Sequence, residues 1–149
     1  MDHERWMRQA LALADEAAAA GEVPVGCVIV REGRIVGRGR NRREEDRSAL
    51  AHAEMDALRE ACAARGDWRL TDCGLYVTLE PCPMCAGAIL NARLKWLCYG
   101  ARDENTGSCG SVLNLFEENY GYRPAIYGGI LEAECLERLQ AFFRGLRNG

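Results

Sequence analysis

Two short stretches hold residue types that can act together chemically: His52-Ala53-Glu54 and, further along, Pro81-Cys82-Pro83-Met84-Cys85. Zinc takes neutral imidazole nitrogen and thiolate sulfur, with bonds of about 2.0–2.3 Å. A Cys-x-x-Cys pair opening a helix puts both sulfurs within one turn, where the helix dipole also favours thiolate. His52 on a facing helix would supply a third protein ligand. The fourth tetrahedral position would then be left to water, which marks a catalytic rather than a structural zinc. Glu54, two residues after His52, is spaced to reach that water. Zinc brings the pKa of its water towards ~7. A carboxylate beside it can take the proton and deliver it to a leaving nitrogen. Together these groups meet the needs of hydrolytic deamination, in which an amidine carbon is attacked and ammonia leaves.

Other readings of the same residues are weaker. A lone Cys-x-x-Cys also serves as a structural zinc half-site or a redox pair. A four-cysteine site would most simply need a second such pair, and Cys27, Cys62, Cys73, Cys98, Cys109 and Cys135 contain none. A redox pair accounts for neither the His-x-Glu nor the prolines, and a non-enzymatic zinc module has no use for Glu54. His3, the other histidine, is expected in a frayed N-terminus. Of the remaining cysteines, Cys27 and Cys98 fall in strand runs and Cys62 and Cys135 in helices, which predicts packing roles. Cys73 and Cys109 fall in loops, where either could be exposed and oxidisable, and the sequence assigns neither a role.

The elements that position these residues follow from periodicity. An apolar stripe from Trp6 to Ala18 predicts a helix stopped by Gly21. Val25–Val30 and Ile35–Arg40 read as two strands joined by a hairpin turn at Gly33. Asn41 to Leu50 is a polar loop. Ala51–Ala64 is helical, with Ala51, Met55, Leu58 and Cys62 on one stripe. Leu75–Leu79 is a strand, Met84–Leu90 a helix entered through prolines, and Leu94–Tyr99 another strand. Ala125–Tyr127 is a short strand. Glu132–Arg147 is an amphipathic helix expected to turn Leu136, Leu139, Phe142, Phe143 and Leu146 inward. Strands alternating with helices predict a layered α/β domain with helices packed on a mixed sheet.

Composition fits one soluble domain. The chain has 149 residues, 48% hydrophobic and 28% charged, near the globular average. No run approaches the ~20 apolar residues of a membrane span. The first residues do not form a signal peptide, because charges recur through an amphipathic helix. A cytoplasmic protein is therefore expected. The net charge of −3 argues against non-specific nucleic-acid binding.

The pattern H-x-E followed by P-C-x-x-C is the signature of zinc nucleobase deaminases, and the chain resembles the cytidine deaminase-like superfamily. Within it, the chain is similar to the bacterial tRNA-specific adenosine deaminase family. That similarity rests on Glu22-Val23-Pro24-Val25-Gly26, Gly39-Arg40-Asn41-Arg42, Ala51-His52-Ala53-Glu54, Leu75 through Ala88, Gly100-Ala101-Arg102-Asp103, Thr106-Gly107 and Phe142-Phe143-Arg144. Ser48-Ala49-Leu50 stands where family members often have Asp-Pro-Thr. Tyr120-Gly121-Tyr122-Arg123 stands where they often carry Phe-Asn-His.

The resemblance implies a three-layer α/β/α cytidine deaminase-like domain over residues 1–149, with a central mixed sheet of about five strands. It implies one Zn2+ per subunit, held by His52, Cys82 and Cys85, with Glu54 as proton shuttle. Asn41, Val25, Ala53, Pro81 and Asp103 are the implied substrate contacts. The implied reaction converts the wobble adenosine of a tRNA anticodon loop to inosine, carried out by a homodimer. Deamination of a free base or nucleoside such as guanine, cytosine or adenosine is the alternative. Arg42, Arg43, Phe142, Phe143 and Arg144 are candidates for RNA binding, since arginines can meet phosphates and rings can stack on unpaired bases. A solvated hairpin and core phenylalanines would explain the same residues without RNA.

Overall fold

The computed structural model describes residues 2–148. Helix α1 (His3–Ala19) starts where the Asp2 carboxylate accepts the Arg5 N–H. His3 is not frayed, because its Nδ1 lies 2.7 Å from the Tyr76 hydroxyl. Strands β1 (Gly26–Arg31) and β2 (Arg34–Arg40) meet at Glu32-Gly33. Both turn residues have positive φ, 50° and 73°, as in the hairpin turns that match strand twist. Then come α2 (Ala53–Arg65), β3 (Gly74–Leu79), α3 (Pro83–Ala92), β4 (Trp96–Ala101), β5 (Ala125–Tyr127) and α4 (Glu132–Asn148).

The five strands form one mixed sheet in the order β2-β1-β3-β4-β5. β1 runs antiparallel to both neighbours, while β3, β4 and β5 are mutually parallel. Helices α2 and α3 cover one face, packing Ala57, Leu58, Ile89 and Leu90 on Ile29, Leu75, Val77 and Leu97. On the other face α1 and α4 pack Trp6, Met7, Cys135 and Leu139 on Val28, Tyr76 and Cys98. The three-layer arrangement is the expected one. Alternate residues of β1 and β3 enter opposite cores, as a two-residue period requires.

Two glycines set how closely helices approach the sheet. A Cβ at Gly39 would lie 2.1 Å from the Ala53 carbonyl oxygen, and one at Gly26 would lie 2.0 Å from that of Ala10. Helix α2 therefore rests directly on β2, with its first turn fixed against the strand end. Strand directions complete the placement. The ends of β2, β3 and β4 and the start of β1 share one edge, the usual place for ligands in an α/β sheet.

The structure decides the two open cysteines and corrects the packing expected of α4 and α2. Cys73 is fully buried and its thiol is pushed up to about 11, chiefly by burial. Cys109 is half-buried and is pushed up to about 12 for the same reason. Neither is an exposed, oxidisable loop thiol. Among the described side chains of α4 only Cys135 and Leu139 are buried; Leu136, Phe143 and Leu146 are exposed, the last at 62%. On α2 the buried stripe is Ala53, Ala57, Leu58 and Ala61, leaving Met55 and Cys62 half-buried.

Candidate active site

His52 and Cys82 occupy the N-cap positions of α2 and α3, in extended conformation, and neither side chain caps its helix. N-caps usually carry Ser, Thr, Asp or Asn, whose oxygens bond the free N–H groups of the first turn. Here the two side chains face one another instead. Pro83 follows Cys82 at the first helical position, where its missing N–H costs nothing. Cys85 comes round one turn later. His52 Nδ1 lies 3.7 Å from Cys82 Sγ and 3.5 Å from Cys85 Sγ. All three ligand atoms lie within 4.8 Å of one another. Zinc bonds at tetrahedral angles would separate such nitrogen and sulfur atoms by about 3.5 Å and two sulfurs by about 3.7 Å. The triangle therefore has the size and donor chemistry of a metal site.

Electrostatics favour a thiolate in this triangle. Cys82 is lowered to about 4 by hydrogen bonds from Cys85 and His52. Cys85 is raised, first by its hydrogen bond to Cys82 and then by burial. The Cys82 hydrogen bond in turn raises His52. Glu54 is the second residue of α2, in its first turn, and is only 4% exposed. Burial pushes its carboxyl up to about 7. A carboxyl near 7 can take up and release a proton at neutral pH.

His52, Glu54 and Cys82 line a cavity of about 990 Å³. Val25 and Asn41 form one wall, from the start of β1 and the end of β2. Ala53, at the first position of α2, lines the cavity too, and its N–H has no acceptor within the helix. Asn41 is buried; its Oδ1 accepts the Arg43 N–H at 3.0 Å, leaving Nδ2 for a ligand. Asp103 lines the opposite wall, but its carboxylate is engaged locally. Oδ1 accepts from the N–H groups of Asn105 and Thr106, and Oδ2 accepts the Thr106 hydroxyl at 2.8 Å. Arg43, Phe143 and Arg144 also border the cavity.

Three sequence candidates lie elsewhere. Pro81 is buried off the cavity wall, and its carbonyl accepts the Ser108 N–H at 2.9 Å. Arg42 pairs with Glu45 at 2.6 Å and Asp46 at 3.6 Å, so its charge is used locally. Phe142 is half-buried with its ring edge-on to Phe143. Ser48-Ala49-Leu50 and Tyr120-Gly121-Tyr122 lie outside the cavity lining as well.

Sequence reasoning missed two buried carboxylates. Glu22 accepts the N–H groups of Glu44 and Glu45 at 3.1 and 2.7 Å, which holds the loop beyond Asn41. Glu80 does the same for the loop around Asp103. The available signal was an acidic residue set among apolar ones, between Gly21 and Val23 and between Leu79 and Pro81. It was also unforeseen that the exposed face of α4, with Leu136, Gln140 and Leu146, would wall the cavity.

Comparison with known proteins agrees with this geometry. The family model described as MafB19-like deaminase matches residues 1–147. A tRNA-specific adenosine deaminase of Bacillus subtilis is 46% identical over 97% of this chain and 90% of its own length. A solved structure from work on A-to-I editing by tRNA:A34 deaminases at the wobble position superimposes with a TM-score of 0.87. It is 43% identical, over 91% of this chain and 99% of that one. A guanine deaminase of Bacillus subtilis is more distant, at 30% identity and a TM-score of 0.65 over 100% of this chain and 96% of that one.

Proposed function

The chain belongs to the MafB19-like deaminases and to the tRNA-specific adenosine deaminases, and from that premise we propose that it hydrolyses the wobble adenosine of a tRNA anticodon loop to inosine, with loss of ammonia. The observation that carries this reading is the buried Glu54 beside the His52–Cys82–Cys85 triangle, inside a cavity large enough for a nucleotide. In this reading the protein is a single catalytic domain, acts as a cytoplasmic homodimer and holds one Zn2+ per subunit. Zinc bound there supplies Lewis acidity and activates water at neutral pH.

This chain's own residues account for the remaining steps. Val25 packs on the face of the flipped base. Asn41 Nδ2 and the Ala53 N–H offer donors to acceptors on the purine edge. Glu54, held near neutrality by burial, takes the proton from the attacking water and passes it to the departing amine. Asp103 braces its own loop at the cavity wall and presents that wall to the sugar. Arg43 and Arg144 meet backbone phosphates at the mouth, and Phe143, 46% exposed, gives an unpaired base a surface to stack on. A wobble base lies in a single-stranded loop, so extruding it costs little.

The greater similarity to tRNA deaminases than to the guanine deaminase favours RNA over a free base. The test is to incubate zinc-loaded protein separately with an adenosine-containing anticodon stem-loop and with free guanine, cytosine and adenosine. Inosine in the RNA is the expected product.

A further inference from the structure

Glu80 lies between the end of β3 and the metal-ligand motif, and it is 2% exposed. Its carboxylate takes four donors from one loop. Oε1 accepts the Asp103 N–H at 3.1 Å and the Ser111 hydroxyl. Oε2 accepts the N–H groups of Cys109 at 2.8 Å and Ser111 at 3.2 Å. The Glu80 N–H is bonded to the Ala101 carbonyl at 2.8 Å, so the residue is itself anchored to β4. The fit is close: a Cβ on Gly107 would come 2.4 Å from the Glu80 carboxyl carbon. Every oxygen of this carboxylate is thus directed at the loop that carries Asp103 and Thr106 along the cavity wall.

Resting on the deaminase reading above, we infer that Glu80 is a positioning residue for substrate binding. It sets the distance between the Asp103 wall and the triangle of His52, Cys82 and Cys85. A carboxylate suits this place because it offers an acceptor at both oxygens. An amide has one oxygen, and its nitrogen is a donor. In Glu80→Gln an NH2 at the Oε2 position faces two backbone N–H donors, and one at the Oε1 position faces the Asp103 N–H, the Ser111 hydroxyl there being able to turn and accept. The loop then loses at least one backbone tether, the Asp103 N–H in the better orientation, while the metal ligands keep theirs. A residue that places the wall acts on how well substrate is held, and the chemical step belongs to Glu54.

The test compares wild type, Glu80→Gln and the milder Ser111→Ala, all zinc-loaded. Amide hydrogen exchange, metal content and steady-state kinetics on the anticodon stem-loop are read together. The expected result for Glu80→Gln is faster exchange at Asp103, Cys109 and Ser111 with unchanged metal stoichiometry. KM should rise about tenfold while kcat stays within about threefold, the pattern of lost uniform binding. Ser111→Ala should move the same readouts less, and it carries the test if Glu80→Gln does not fold. Unchanged exchange, lost metal, or a fall in kcat at constant KM would overturn the proposal. If wild type makes no inosine, the deaminase reading fails by itself, and the exchange data still decide whether Glu80 holds the loop.

Discussion

Glu54 owes its chemistry to where the fold puts it: burial is the largest of the effects that raise its carboxyl to about 7. Glu54→Gln keeps the shape and removes the carboxyl that can take up and release a proton. It should lower kcat by about 10²–10⁴-fold, the usual worth of general acid–base catalysis, with metal content unchanged by elemental analysis. The other thiols give a separate check. Burial pushes Cys98, Cys109 and Cys135 each up to about 12. Thiolate is the form that reacts, and its fraction increases only as the pH climbs towards that value. Alkylation at pH 8 followed by mass spectrometry should find these three unmodified until the protein is unfolded. The metal-site residues were legible because the ligand types lie in contiguous motifs. Glu22 and Glu80 were not, because their partners are backbone N–H groups more than twenty positions away, and a buried acceptor leaves no periodic trace.

At the level of elements, the site depends on two helix N-termini being held to one sheet edge. Gly39 is where α2 touches β2 most closely. Gly39→Ala should displace the start of that helix, costing about 1–3 kcal/mol by overpacking. A lowered Tm together with weakened metal binding should follow, because His52 occupies the N-cap position of the displaced end. The strands and helices could be read from their periods, and their boundaries moved by only a few residues. Helix α4 shows the limit of that signal. Its apolar stripe is real, but Cys135 and Leu139 face the sheet while Leu136, Phe143 and Leu146 face the cavity. Periodicity identifies an apolar face and does not say whether a sheet or a substrate covers it.

For the whole molecule, a net charge of −3 means that attraction to RNA must be local. Arg43, Arg102 and Arg144 border the cavity, whereas Arg42 is neutralised by Glu45 and Asp46. The two phosphate contacts of Arg43 and Arg144 to single-stranded RNA predict that log KM rises against log salt with a slope of about 1.4. Kinetics from low to moderate salt would measure that slope, with kcat unchanged. Among the described residues no helix is long and apolar enough to cross a membrane. The central claim is that this cavity deaminates adenosine within RNA. It is tested most directly by giving the zinc-loaded protein the anticodon stem-loop and the free bases in parallel and analysing the products by mass spectrometry. The account predicts inosine at the wobble position of the stem-loop and no turnover of the bases. Turnover of guanine, cytosine or adenosine with the stem-loop left intact would contradict it.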